Sequence, residues 1–280
     1  MPISKVAIIT GGASGLGLAV ADVFSRKGWR VHIFDLNEVE LGNCVSHIVD
    51  VASWESLSSS FDAVFKTEGR LDFVFANAGV MEKGEFFERH ELSSPPPEPD
   101  ESSMDVNLKG VVKTSYLSQH YFRANTNGAK DCVLLMTSSI AGIYPQASTP
   151  LYAAAKAGIL NFMRSVAPLF YQEDGIRTYA ICPGSVRTNL LPKPLWDAYP
   201  QEYLTQMDKV TSTIELLIDG AQLQDSWGQK FEKSNVGLTV EIFVDDVYFR
   251  GPPDPCNDGM RFILELMKPG KKNAASERSE

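Results

Sequence analysis

The chain has 280 residues, 44% of them hydrophobic and 22% charged, which suits one large α/β domain with a sizeable core and an ordinary soluble surface. Its formal net charge is -9, and Lys and Arg are scattered rather than blocked. Nucleic acid or an anionic membrane surface is therefore excluded as the main partner, because both demand a basic face.

The predicted elements alternate along the chain. Val6-Ala7-Ile8-Ile9 is a buried strand, followed by a glycine-rich turn. Leu16, Ala19, Val20, Val23 and Phe24 recur at helical spacing, and Gly28 suits the helix stop. Val31 to Phe34 is a second strand ending at Asp35, and Ser46 to Asp50 a weaker third. Leu57 to Phe65 reads as helix, Asp72 to Ala76 as the fourth strand and Met104 to Phe122 as a long helix. Cys132 to Met136 is the fifth strand, Tyr152 to Phe170 a helix, Thr178 to Cys182 the sixth strand and Leu238 to Phe243 a seventh. Strands apolar throughout and joined by helices predict an α/β fold, a doubly wound parallel sheet of about seven strands covered on both faces.

No linker divides the chain, so one domain over residues 1–268 is expected, with a flexible tail at 269–280. Residues 91–101 hold Pro95, Pro96, Pro97 and Pro99, which cannot continue a helix or a central strand, so a surface loop is expected there. Residues 189–233 are long and less regular. No stretch approaches the ~18 apolar residues of a membrane helix. Cys44, Cys132, Cys182 and Cys256 form no C-x-x-C pair, so neither a zinc site nor a disulfide framework is expected. Met1 to Lys5 fits no signal or transit sequence, and the reading is of a cytoplasmic protein.

Thr10-Gly11-Gly12-Ala13-Ser14-Gly15-Leu16-Gly17 joins the first strand to the first helix. Glycines let backbone approach a pyrophosphate closely, and the helix N-terminus offers free N–H groups and the positive end of its dipole. Asp35, at the end of the second strand, can accept hydrogen bonds from ribose hydroxyls and would repel a 2′-phosphate, which favours NAD over NADP. Tyr152 and Lys156 lie at i and i+4 on one helix face. An ammonium beside a phenol favours the phenolate and lowers its pKa. Ser139 lies just past the fifth strand, at the carboxyl edge of the sheet where ligands bind. None of His32, His47, His90 and His120 falls in a triad order with it.

The glycine turn, Asn77-Ala78-Gly79, Asn107, Ser138-Ser139, Tyr152-x-x-x-Lys156 and Pro183-Gly184-x-x-x-Thr188 occur in that order. Together they resemble the motif set of the short-chain dehydrogenase/reductases, in the T-G-x-x-x-G-x-G branch, from about Lys5 to the last strand. The proline-rich insertion, residues 117–123 and Tyr248-Phe249-Arg250 are similar to fungal members grouped with 15-hydroxyprostaglandin dehydrogenase-like proteins.

The resemblance implies roles. Gly11, Gly15 and Gly17, with Ser14 and Leu16 in the same turn, would cradle the pyrophosphate of NAD. Asp35 would hold the adenosine ribose, and Asp50 with Val51 the adenine. Asn77, Ala78 and Gly79 would line the cofactor cleft. Tyr152 would donate or accept the proton, Lys156 would bind the nicotinamide ribose, Ser139 would hold the substrate oxygen and Asn107 a water in the relay. Pro183, Gly184, Val186 and Thr188 would flank the nicotinamide.

Departures from the pattern are Ala155, where a serine is frequent, and a short connection from Asp35 to Asp50 whose helix is expected to shrink to a turn. The segment after Thr188, about 189–235, would cover the substrate. Its Leu190, Leu191, Leu195, Trp196, Tyr199, Tyr203, Leu204 and Met207, with Met81, Ile143 and Tyr144, suggest a bulky apolar alcohol or ketone, lipid-like, terpenoid or polyketide. A homodimer or homotetramer through the two long helices is implied. Two other readings remain open at this stage: a non-redox isomerisation, epimerisation or cyclisation on the same fold, and an NAD(H)-binding sensor or scaffold.

Overall fold

A computed structural model describes residues 4–268. Seven parallel strands form the sheet, in the order β3 (Val45–Ile48), β2 (Arg30–Asp35), β1 (Val6–Thr10), β4 (Phe73–Ala76), β5 (Val133–Thr137), β6 (Arg177–Pro183) and β9 (Leu238–Phe243). The expected doubly wound sheet is therefore present. An eighth strand, β10 (Asp246–Arg250), pairs antiparallel with β9 and closes one edge. That strand was not foreseen, because an antiparallel edge strand open to solvent lacks the continuous apolar run of its neighbours.

Alternation within each strand sends side chains to two cores. Val6 and Ile8 point to one face, packed with Phe34, Val74, Leu134 and Met136. Ala7 and Ile9 point to the other, with Ile33, Phe75, Leu135 and Ile181. The first face is covered by α2 (Trp54–Glu68), α4 (Gly110–Arg123) and α5 (Pro150–Asp174), through residues such as Leu57, Phe61, Leu117, Ile159 and Met163. The second is covered by α1 (Gly15–Arg26) and α7 (Met207–Asp219), through Val20, Phe24, Val210, Ile214 and Leu217.

Local chemistry sets the helix ends. The Ser53 hydroxyl accepts from the Ser56 N–H at the start of α2, and Gly69 ends it in the left-handed region. Pro150 opens α5 as its first residue, and Gly175 closes it. The helix expected over Met104–Phe122 is interrupted. A short turn, α3 (Ser102–Met104), leads into a π-helical turn over Asp105–Lys109 before α4 begins. Such wide turns recur at functional sites, and this one holds Asn107.

No helix lies between β2 and β3 among the described residues, in keeping with the short connection there. Residues 91–101 are exposed and carry no helix or strand. The segment expected to be irregular instead holds α6 (Lys193–Ala198), α7 and a small hairpin of β7 (Leu223–Gln224) and β8 (Lys230–Phe231). The spacing of Val210, Ile214, Leu217 and Ile218 is the signal that reveals α7.

The chain divides into two compact units, one ending at Arg250 and one beginning at Gly251, so the expected domain of 1–268 spans both. The second contains α8 (Asp258–Leu266), capped by the Asn257 side chain on the Met260 N–H at 2.9 Å. The expected tail at 269–280 lies outside the described residues. Among the described residues no helix is long and apolar enough to cross a membrane.

Candidate active site

The strand order reverses between β1 and β4, and ligand crevices in such sheets open beyond the carboxyl ends at that reversal. A cleft of about 530 Å³ lies there. At one end, the turn after β1 is held by the Gly11 N–H on the Phe34 carbonyl at 2.7 Å. Gly11 has φ of 65°, and a Cβ on it would stand 2.7 Å from the Ala78 Cα. A Cβ on Gly17 would collide with the Gly11 carbonyl oxygen, so α1 can leave the turn this tightly only from glycine. Ser14 precedes α1 in extended conformation without a side-chain cap, and no acidic residue occupies the first turn. The first N–H groups of α1 are thus left for an anion, which is the donor set a pyrophosphate needs.

Asp35 closes this end. One of its carboxylate oxygens accepts the Ala13 N–H at 3.1 Å and the other the Asn37 N–H at 3.1 Å. Beside it, Asp50 accepts the Ala52 N–H at 2.8 Å, which orders the turn carrying Val51. Asn77 knits three strand ends together. Its amide donates to the Thr10 carbonyl at 3.1 Å and its oxygen accepts the Thr137 hydroxyl at 3.0 Å.

Ser139, Tyr152 and Lys156 come to the same cleft from the segments after β5. Ser139 begins a short 3-10 turn, Ile140–Gly142, its hydroxyl oxygen accepting the Ala141 N–H at 3.1 Å. Lys156 is 2% exposed; its ammonium donates to the Thr137 carbonyl at 2.9 Å and stands 5.5 Å from the centre of the Tyr152 ring. The buried Ser138 hydroxyl donates to the Lys156 carbonyl at 2.7 Å, tying the 3-10 turn to α5. Burial pulls Lys156 down to about 8. Burial pushes the Tyr152 phenol up, opposed by its hydrogen bond with Ser139. Desolvation thus outweighs the stabilised phenolate that the i, i+4 spacing suggests, because the phenol is itself buried.

Thr188 reaches back across the cleft: its Cβ lies 3.1 Å from where a Cβ on Gly15 would stand. The Trp196 indole N–H donates to the Thr188 carbonyl at 2.8 Å, which folds α6 over this end. Ser185 donates to the Tyr199 hydroxyl at 2.8 Å, and the Gly184 N–H donates to Ile242 at 2.7 Å.

Gly11, Ser14, Gly15, Leu16, Asp35, Asp50, Val51, Asn77, Ala78, Gly79, Ser139, Tyr152, Lys156, Pro183, Gly184, Val186 and Thr188 all line this one cleft. Gly17 and Asn107 do not. Gly17 is packed beneath the turn. Asn107 is fully buried, its amide spent on both polar groups of the Val80 backbone at 2.8 Å each.

Of the apolar residues expected to meet substrate, Met81, Leu190, Leu191 and Trp196 line the cleft. Met207 and Ile143 instead pack on the two cores, and Leu195 and Tyr203 are exposed. The Tyr144 hydroxyl donates to Glu241. Helical spacing could not separate these cases. Gln146 and Asn189 also line the cleft and were not foreseen, because isolated amides carry no spacing signal. His32 is a buried strand residue, bonded to His47 and Glu68 away from the site. Among the described residues no group of three His, Cys, Asp or Glu side chains is placed to hold a metal ion.

A family model for short chain dehydrogenases matches residues 5–195. Short-chain dehydrogenase/reductase prx7 of Penicillium rubens is 39% identical over 269 residues, spanning 89% of this chain and 95% of its own. Human 15-hydroxyprostaglandin dehydrogenase (NAD(+)) is 31% identical over 226 residues, 75% of this chain and 79% of its own. A 3-ketoacyl-(acyl-carrier-protein) reductase from Brucella melitensis, solved with NADH, superposes with a TM-score of 0.68. It covers 85% of this chain and 96% of its own at 22% identity, a likeness of fold alone. The chain belongs to the short-chain dehydrogenase/reductase family, oxidoreductases that work on small molecules with a nicotinamide cofactor.

Proposed function

We propose that the protein interconverts a secondary alcohol and a ketone on a bulky apolar small molecule, using NAD(H), with Tyr152 as the acid/base. The observation that carries this reading is the convergence of Ser139, Tyr152 and Lys156 on the cleft that also holds the glycine turn and Asp35. The preference for NAD rests on Asp35, and on the absence of arginine among the described residues lining the cleft. The one lining lysine, Lys156, is bonded to the Thr137 carbonyl beside the Tyr152 ring. The NAD(+) in the name of the human relative points the same way.

A bound nicotinamide supplies the hydride acceptor or donor. Tyr152 moves the proton: its phenolate oxygen takes the hydroxyl proton as the alcohol carbon gives up hydride, and the phenol returns it in the reverse direction. Ser139 donates a hydrogen bond to the same substrate oxygen and offsets charge developing there. Lys156 holds a positive charge beside the phenol and is anchored by Thr137. The side chain of Asn107 is committed to the Val80 backbone from the π-helical turn. Val80, Met81, Ile140, Leu190, Leu191 and Trp196 give the substrate end an apolar wall. Val112, Tyr116, Leu169 and Tyr171 are exposed on α4 and α5, the faces a homodimer or homotetramer would cover. A cytoplasmic location completes the reading.

The test follows NADH absorbance with purified protein, NAD or NADP and a panel of lipophilic secondary alcohols, beside Tyr152→Phe. Turnover with NAD is expected, falling on the order of 10³-fold in the variant. Unchanged turnover in Tyr152→Phe would overturn the assignment.

A further inference from the structure

The geometry points to Glu82 as the positioning residue for Tyr152: from the loop after β4, its carboxylate caps α5 on the backbone N–H of Tyr152 itself and holds the acid/base phenol in place. This rests on the role proposed for Tyr152.

A Glu82 carboxylate oxygen accepts the Tyr152 N–H at 2.7 Å across 70 residues of chain. The first turn of α5 needs such an acceptor. Pro150 has no N–H, the Thr149 side chain makes no cap, and no acidic residue occupies the turn. The Thr149 hydroxyl donates instead to Gln146 at 3.1 Å. The first helical N–H to find a partner within this segment is that of Ala153, on the Thr149 carbonyl at 3.0 Å. The cap is therefore imported, as a charge-assisted hydrogen bond at the positive end of the helix dipole.

Glu82 is suited to this because its loop is fixed two residues earlier. Asn107 grips both polar groups of the Val80 backbone, so the carboxylate projects from a rigid point. One turn beyond Tyr152, Lys156 has anchors of its own, Thr137 and Ser138. Loss of Glu82 would loosen the first turn, with Tyr152, while Lys156 and the glycine turn stayed in place. Glu82 does not line the cleft, so it acts through Tyr152 and not on the substrate. The Glu82 carboxylate is bonded to the backbone N–H of Tyr152, while Lys156 on α5 stands 5.5 Å from the centre of its ring.

The experiment compares Glu82→Leu, which removes acceptor and charge, with Glu82→Gln, which keeps an acceptor oxygen. In Glu82→Leu, kcat should fall by up to about 10²-fold while the NADH dissociation constant stays within about twofold. Glu82→Gln should restore most of kcat. Hydrogen exchange of the Tyr152 amide in the full chain, which needs no substrate, should speed up in Glu82→Leu.

Unchanged exchange, unchanged kcat, or parallel losses of kcat, NADH binding and thermal midpoint would overturn the positioning role. Tyr152→Phe in the same assay separates the two claims. If that variant turns over normally, the functional reading fails. If it is inactive while Glu82→Leu is unaffected, only the role of Glu82 fails.

Discussion

At the glycine-turn end, the cleft is made of strand ends and the short turns that leave them; at the other end, it is closed by the segment that follows β6. The first end is held through backbone N–H groups: that of Gly11 donates to the Phe34 carbonyl, two donate to the Asp35 carboxylate and a third to that of Asp50. The second is held by side chains. Trp196 is pinned to Thr188, and Tyr199 to Ser185. Backbone geometry tolerates little change of residue at the glycines, whereas side-chain packing leaves room for different residues that fill the same space. The contrast separates the end proposed for the cofactor from the end proposed for the substrate, and it can be tested from both sides.

The largest effect is expected at the backbone-built end. Gly17→Ala drives a methyl group into the Gly11 carbonyl, and overpacking of this kind costs roughly 1–3 kcal/mol or more. NADH fluorescence titration should show cofactor binding lost. A variant that binds normally would break the contrast.

Lys156 comes next. Its pKa of about 8 in the fold, below the ordinary 10.5, means that burial of its charge opposes folding by roughly 3 kcal/mol at neutral pH. The unfolded chain holds the extra proton between those two values. Stability should therefore rise with pH across that window, and the penalty is fully present below about pH 8. Lys156→Met should lose turnover yet unfold at a higher temperature at pH 7, and it should lack the alkaline rise in chemical denaturation.

Asp35→Ala should cut the preference for NAD over NADP about 10- to 100-fold, since a hydrogen bond to a charged group contributes about 1.5–3 kcal/mol. Steady-state kinetics with both cofactors reads this, and an unchanged ratio would remove Asp35 from the selectivity argument.

The smallest effect belongs to the side-chain-built end. Trp196→Ala removes one hydrogen bond and part of the apolar wall. KM for an apolar alcohol should rise about tenfold, the equivalent of 1.4 kcal/mol, while NADH binding moves less than about threefold. Equal losses in both would mean that the two ends are not separable.

The amino-acid sequence by itself determined the parallel sheet and the glycine-turn end of the cleft. Short apolar runs such as Val6 to Ile9 and Val133 to Met136, too short for a helix and set between turn residues, read as strands buried on both faces, and a glycine turn between strand and helix suits a bound anion. These are local properties, read within a few residues of each other. The π-helical turn at Asn107, the antiparallel β10, the Tyr152 phenol raised by its own burial and the cap on Tyr152 from Glu82 were decided only by the tertiary structure. So was the sorting of the residues after Thr188, where Trp196 lines the cleft, Met207 packs on a core and Tyr203 stays exposed. Each depends on which distant segment arrives beside a given atom, and neither periodicity nor motif spacing carries that information.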